Sequence, residues 1–255
     1  MRRTIRTLLS TSTVLVLTVG AAQAAEVKVL IAGALQNAVR ALAADYEKQS
    51  GNKVTITATN PALIGKEFMG GQYDIVAAAS PSVAELGEAA ELRPGGIQHL
   101  ARTGIGIAVK QGASIPDLST VAAFRRVVMG AKSIIFTDPM ASNASGGNTQ
   151  RILINAGLLD EVKKKGTQDG LGPGREKIAK GEAEMGFFNV SESTAPGIVL
   201  AGPVPEPLQQ YINYDIAVTR NSATKPEAAA FVEFLTSKDA GPRWIVGGME
   251  QLSPE

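Results

Sequence analysis

Short runs of Val, Ile, Leu and Ala alternate with segments of helical periodicity from residue 27 almost to the end of the chain. That alternation is the strongest constraint on the fold, because strands interleaved with helices build a largely parallel sheet covered by helices, the α/β class. Val27–Ala32 is a run rich in β-branched residues and reads as a buried strand. Leu35–Ser50 follows with Leu35, Val39, Leu42 and Tyr46 on one helical face, closed by Gly51-Asn52. Lys53–Thr57 and Tyr73–Ala78 predict two more strands, with a short helix at Ala62–Phe68 between them. Ser80-Pro81 predicts the next helix start, with Ser as cap.

The middle of the chain reads as a second unit of the same kind. Strands are expected at Gly104–Val109, Ser133–Phe136, Glu184–Phe188 and Ile198–Ala201, with helices at Val121–Val128 and Gly146–Asn155. A strand at Ile212–Val218 and a capping-box helix from Thr224-Lys225-Pro226-Glu227 through Leu235 finish the pattern, with Trp244 placed in the core. No linker separates the two units, which predicts a chain that crosses between lobes more than once. Gly104–Val109 and Ile212–Val218 are the expected crossings. The lobes are then 25–105 plus 215–255, and 106–214.

Met1–Ala24 has the composition of a secretory signal peptide. Arg2, Arg3 and Arg6 precede a diluted apolar stretch at Leu8–Val19, and Ala22-Gln23-Ala24 matches a small-x-small cleavage site. The apolar stretch is well short of the ~20 residues of a membrane span. Its removal takes three arginines away, so 25 basic residues become 22 against 24 acidic ones, a net charge of −2. Such a chain is not a nucleic-acid binder by charge. It contains no Cys and one His, which excludes disulfides, thiolate chemistry and a His-rich metal site. Export to a bacterial periplasm is the expectation.

Candidate chemistry lies where strands end and helices begin. Thr137–Asn148 contains Ser145, Gly146 and Gly147 at a helix start with Arg151 one turn inside. Backbone N–H groups and the positive helix end there suit an anion. Ala34 follows the first strand and Asn60-Pro61 the second, and several such ends converging on one cleft favour a ligand site. Gly170–Arg175 resembles a phosphate loop only loosely, because Pro173 removes a donor and no clear strand precedes it, and it reads as a surface turn. His99, without an acidic or Ser neighbour at a telling spacing, reads as structural.

These features together resemble the periplasmic solute-binding proteins of the molybdate-binding type. The resemblance rests on the small-residue turn with Leu35, Asp74-Ile75-Val76, Asp138-Pro139, Gly181–Gly186 and the Ala-rich helix ending in Phe234-Leu235. It implies a type II bilobal fold with two crossing strands, a monomer that holds a small anion between its lobes, and delivery to an ABC-type permease. The chain departs from the molybdate pattern at Ala34 and at Asn60-Pro61, where the family has Ser, and at Asn189, where it has Tyr. Those departures favour a carboxylate over molybdate, with Lys66, Arg151 and Arg175 available as pairing cations. The aconitate isomerase branch of the same family is the alternative. It implies a double-bond shift without metal or organic cofactor, with Asp138, Glu192 or a Ser to carry the proton.

Overall fold

The computed structural model describes residues 24–137 and 144–252. The signal-peptide expectation over Met1–Ala24 falls outside them except for Ala24, and so does Asp138. The first unit runs β1 (Glu26–Ala32), α1 (Gln36–Ser50), β2 (Lys53–Thr59), α2 (Ile64–Gly70), β3 (Ile75–Ala79), α3 (Ser80–Glu88) and β4 (Gln98–Thr103). The second holds β5 (Ile105–Lys110), α4 (Val121–Gly130), β6 (Ile134–Phe136), α5 (Ala144–Asn155), α6 (Leu159–Lys165) and β7 (Gly166–Gln168). It continues through α7 (Leu171–Lys180), β8 (Met185–Asn189) and β9 (Ile198–Pro203). The chain then returns with β10 (Ile212–Val218), α8 (Pro226–Thr236), α9 (Gly241–Val246) and β11 (Glu250–Gln251).

These elements form a bilobal α/β protein with two mixed sheets. One has the order β11-β4-β10-β3-β1-β2 and the other β7-β6-β8-β5-β9. In the first, β1 pairs in parallel with both β2 and β3, while β10 runs antiparallel between β3 and β4. In the second, β6 is parallel to β7 and β8, while β5 is antiparallel to β8 and β9. Each sheet has its own apolar core. Leu30, Leu35, Leu42, Ile75, Phe231 and Trp244 fill the first, and Trp244 donates Nε1–H to the Leu235 carbonyl at 3.0 Å. Ile107, Phe124, Ile152 and Phe187 fill the second. β3 is buried on both faces over most of its length and reads as an unbroken apolar run for that reason, whereas β1 exposes Glu26 and Lys28 and is buried throughout only from Val29 to Ala32.

The crossings differ from the sequence expectation in one respect. Gly104 alone separates β4 from β5, so one extended ribbon passes from the first sheet into the second. The return crossing is the segment 204–211, and β10 lies wholly within the first sheet. Gln209 stitches the crossings together by accepting from the Ile105 N–H at 2.8 Å and donating to the Ile105 carbonyl at 2.9 Å. A Cβ on residue 104 would lie 2.6 Å from the Gln209 amide carbon, so this stitch needs glycine there.

Two expected caps are not used as such. Ser80 is the first residue of α3 rather than its cap, and α8 starts after Lys225 without a side-chain cap. Pro81 and Pro226 sit in the first turns, where their missing N–H groups have no helical partner to lose. Lys225 is instead drawn toward Asp74, 2.7 Å away.

Candidate functional site

The carboxyl ends of the parallel strands in both lobes face one another across a cleft. A cavity of about 630 Å³ lies there, within the range of small-molecule sites. From the first lobe, Gly33 and Ala34 contribute the 3-10 turn after β1 and Gln36 the start of α1, Thr59, Asn60 and Pro61 the end of β2 and the turn after it, and Tyr214 a buried phenol from β10. From the second, Thr137 and Ser145 flank the start of α5, Gln168 to Leu171 the start of α7, and Asn189 and Glu192 the end of β8. Neither the 3-10 turn Gly33–Leu35 that leads into α1 nor α7 begins with a side-chain cap, so the N–H groups that open them are not consumed in that way, while the Gln36 N–H is bonded to the Gly33 carbonyl. Together with the positive ends of α1, α5 and α7, this favours a negatively charged guest.

The charge of the wall comes from acids. Among the described lining residues there is no Lys or Arg, and the ionisable carboxyls are Asp169 and Glu192. Asp169 is paired with Lys177 at 2.7 Å. Glu192 is different. Its Oε2 accepts from Asn189 Nδ2 at 2.7 Å, while Arg175 donates to the Glu192 main-chain carbonyl. Burial pushes the Glu192 acid above the ordinary carboxylate range, outweighing the attraction of Arg175 and the Asn189 bond. Burial and the nearby Glu192 push the Tyr214 phenol up as well, and burial lowers the Arg175 guanidinium. Asn189 Oδ1 and Arg175 Nε are buried with no hydrogen-bond partner among the described residues.

The 3-10 turn Val190–Glu192 that carries Glu192 rests on the first lobe. Asn37 of α1 donates to the Ser191 carbonyl at 3.3 Å. Gly248, at φ +74°, packs so closely that a Cβ there would lie 2.7 Å from Ser191 Cα. The acid is therefore placed by a contact between lobes.

The bacterial extracellular solute-binding protein family matches residues 27–250. The chain belongs to that family. It is 30% identical over 220 residues to an aconitate isomerase from a Pseudomonas species, covering 83% of this chain and 82% of that one. Its fold is similar to a substrate-binding domain from Clostridium difficile, with a TM-score of 0.74 at 19% identity over 90% of this chain and 100% of the other. It is similar also to the periplasmic molybdate-binding protein of Azotobacter vinelandii, with a TM-score of 0.70 at 20% identity over the same shares.

Within this member of the solute-binding family, Ala34, Asn60, Ser145 and Asn189 line the cleft. Asn60 Oδ1 accepts from Ala62 N–H at 3.0 Å and so caps the turn after β2. Gly146 and Gly147 are not in the lining, and Gly147 looks onto open space. Lys66 is exposed and borders a separate depression with Pro61, Ser82 and Glu85. Arg151 is also exposed, and its guanidinium donates to Asn148 Oδ1 at 2.5 Å on its own helix. Lys66 on α2 and Arg151 on α5 are thus both outside the cleft lining. Arg175 lies behind the wall and is engaged by the main chain.

Several lining residues were not visible in the sequence. Gly170 and Leu171, read as a surface turn, open α7 at the cleft instead, with Pro173 inside its first turn. Thr59, Thr137 and Tyr214 supply hydroxyl groups that Ala34 and Pro61 lack, so the cleft is richer in hydroxyls than the departures from the family pattern imply. The strand-end positions of Thr59 and Thr137 were the available signal. His99 has an acidic neighbour after all, Asp215 at 2.8 Å, supplied by β10 across the sheet. Among the described residues, no group of three His, Asp or Glu side chains is placed to hold a metal ion.

Proposed function

We propose that the chain captures a small organic anion, a carboxylate in preference to molybdate, in the cleft between its lobes and delivers it to an ABC-type permease. The observation that carries this reading is the wall itself. Neutral donors and uncapped helix starts converge there, with no Lys or Arg among the described lining residues. Such a wall holds an anion by oriented N–H and O–H groups. A cavity of about 630 Å³ has room for a multi-carbon acid. The signal-peptide reading of Met1–Ala24 supports capture in the periplasm, by a monomer with no cofactor.

Calorimetric titration with trans-aconitate, cis-aconitate and molybdate tests the ligand class. Saturable binding of a tricarboxylate with weaker or absent molybdate binding is expected. Tight binding of molybdate alone would overturn the preference.

A second reading, aconitate isomerase activity, is favoured by one specific feature. Glu192 stands at the cavity with its acid raised above the ordinary carboxylate range by burial, which suits a group that takes a proton from one carbon and returns it to another. The 30% identical relative of that name supports it. Incubation with either isomer of aconitate, followed by chromatography, separates the readings. Appearance of the other isomer, lost in Glu192→Gln, marks an enzyme. Binding without conversion marks a carrier.

A further inference from the structure

A tyrosine buried in a core ordinarily spends its O–H on a partner within the chain. Tyr46 gives its phenol to the Glu227 carbonyl at 3.5 Å, and Tyr211 gives its own to Glu206 at 2.9 Å. Tyr214 does not. It is 2% exposed, its O–H has no hydrogen-bond partner among the described residues, and its oxygen is not one of the unpaired atoms sealed from solvent. Because Tyr214 lines the cleft cavity, the surface left to it faces the ligand space. A phenylalanine would fill the same core without enclosing an unused polar group.

β10 holds the ring there. Tyr214 pairs with Ala79 of β3 on one side and Ala101 of β4 on the other, so neither neighbour crowds it on its face of the sheet. The ladder to β4 slips between Tyr214 and Asp215, a bulge of the kind that re-aims a side chain. Glu192 lies at the same cavity, near enough for its charge to oppose ionisation of the phenol. The wall thus holds a carboxyl that can take a proton and a neutral O–H with nothing to donate to, and no described Lys or Arg in the lining.

We propose that Tyr214 is a catalytic residue of the isomerisation, donating its O–H to a carboxylate oxygen on which charge builds while Glu192 carries the proton. The inference rests on the isomerase reading and adds a second group to it. Glu192, as carboxylate, takes a proton from the methylene carbon of aconitate. The C–H bond breaks, its electron pair joins the existing double bond, and a three-carbon anion forms. Its charge gathers on the two outer carbons and on the carboxylates they carry. The proton then passes from Glu192 to the other outer carbon, which closes the double bond in its new place. Glu192 ends as it began, Tyr214 keeps its proton, and no co-reactant is consumed. Backbone N–H groups that hold substrate and anion alike do not speed this step. Among the lining hydroxyls of Thr59, Thr137, Ser145 and Tyr214, the phenol is the most acidic, so its hydrogen bond strengthens most as charge builds.

Tyr214→Phe, assayed with trans- and cis-aconitate by chromatography, tests the assignment. Its kcat should fall about 10²–10³-fold, as for loss of one donor to a developing charge, while KM stays within about threefold. With aconitate deuterated at the methylene, the isotope effect on kcat should be at least as large as in wild type, and a smaller one would overturn the assignment by placing the loss in another step. The O–H has no partner within the fold, so the variant should melt within a few degrees of wild type. A variant that fails to fold would show that the O–H is already spent, and would also overturn it. 3-Fluorotyrosine at position 214 returns an O–H and should restore kcat to within about tenfold of wild type. A loss as deep as that of the Phe variant would place the effect in packing and count against the proposal. Unchanged kcat, with or without a raised KM, would overturn the assignment and leave the isomerase reading in place. Binding of aconitate by the wild type without conversion would overturn the isomerase reading itself, and this assignment with it.

Discussion

Asp74 and Glu192 are two enclosed acids, each with a cation and a small polar side chain beside it, yet they are opposites. Asp74 accepts from Lys225 Nζ at 2.7 Å, Ser222 Oγ at 2.5 Å and the Lys28 N–H at 2.8 Å. Burial alone would raise its acid, but these partners together hold it below the ordinary range. The Glu192 carboxyl receives one bond, from Asn189, and burial prevails. Asp74 also borders a cavity, at the amino ends of β1 and β3, and that cavity is larger at about 740 Å³. Volume therefore does not separate a site from a structural cluster. The difference is in the hydrogen bonding: a carboxylate with its acceptor sites filled by its own chain is structural, and one left short of donors can respond to a guest.

The largest expected effect comes from breaking the satisfied cluster. Asp74→Ala leaves Lys225, Ser222 and the Lys28 N–H without their acceptor, and should lower unfolding stability in urea by about 2–4 kcal/mol. Because the Asp74 acid is held low in the folded protein, its contribution is complete above the ordinary value near 3.8 and is lost as pH falls through the lowered one. The variant and wild type should therefore converge in strong acid. Ligand binding at the opposite end of the sheet should change little.

Next is the contact that seats Glu192. Gly248→Ala places a Cβ against the Ser191 backbone at a positive φ, and should cost about 1–3 kcal/mol of stability. Unlike Asp74→Ala, it should also weaken trans-aconitate binding, because it pushes the Val190–Glu192 turn. A loss of stability with unchanged affinity would separate the turn from the site.

Glu192→Gln should act in the reverse sense to Asp74→Ala. An acid raised in the folded state costs stability once it ionises. The variant should match wild type below the ordinary Glu range and become the more stable of the two as pH rises through the raised value. Urea midpoints across pH measure this. A variant less stable at every pH would place Glu192 with Asp74 among the structural acids.

The smallest effect is expected at Arg151. Its side chain is exposed and bound to Asn148 on the same helix, so Arg151→Ala should change stability by no more than about 0.5 kcal/mol. It should leave trans-aconitate affinity within about twofold, as read by calorimetry.

These contrasts also explain what could be read from the residues in order. β1 was legible from its short length and β-branched residues, and α1 from the helical spacing of Leu35, Val39, Leu42 and Tyr46. Ala34 and Asn60 were legible as strand-end positions, since parallel sheets gather ligands at carboxyl ends, and Ser145 as a helix start. Lys66 and Arg151 show why charge misleads. A cation is visible in a sequence, but the direction in which a helix turns it is not. Gly170-Leu171 was hidden because glycine and proline mark a turn as readily as the first turn of a helix. Tyr214 was hidden because an antiparallel strand from far along the chain brings it to the cleft. The partners of Asp74 were hidden in the same way, since Ser222 and Lys225 lie about 150 residues away.

The most direct test of the central claim is to map trans-aconitate onto the labelled full chain by backbone-amide NMR. Binding in the cleft predicts saturable shifts at Gly33 and Ala34, Ser145, Gly170 and Asn189 to Glu192, with Asp74, Ser222 and Lys225 unmoved. Shifts centred on the Asp74 cluster, or on Lys66 and Arg151 with the cleft silent, would contradict it.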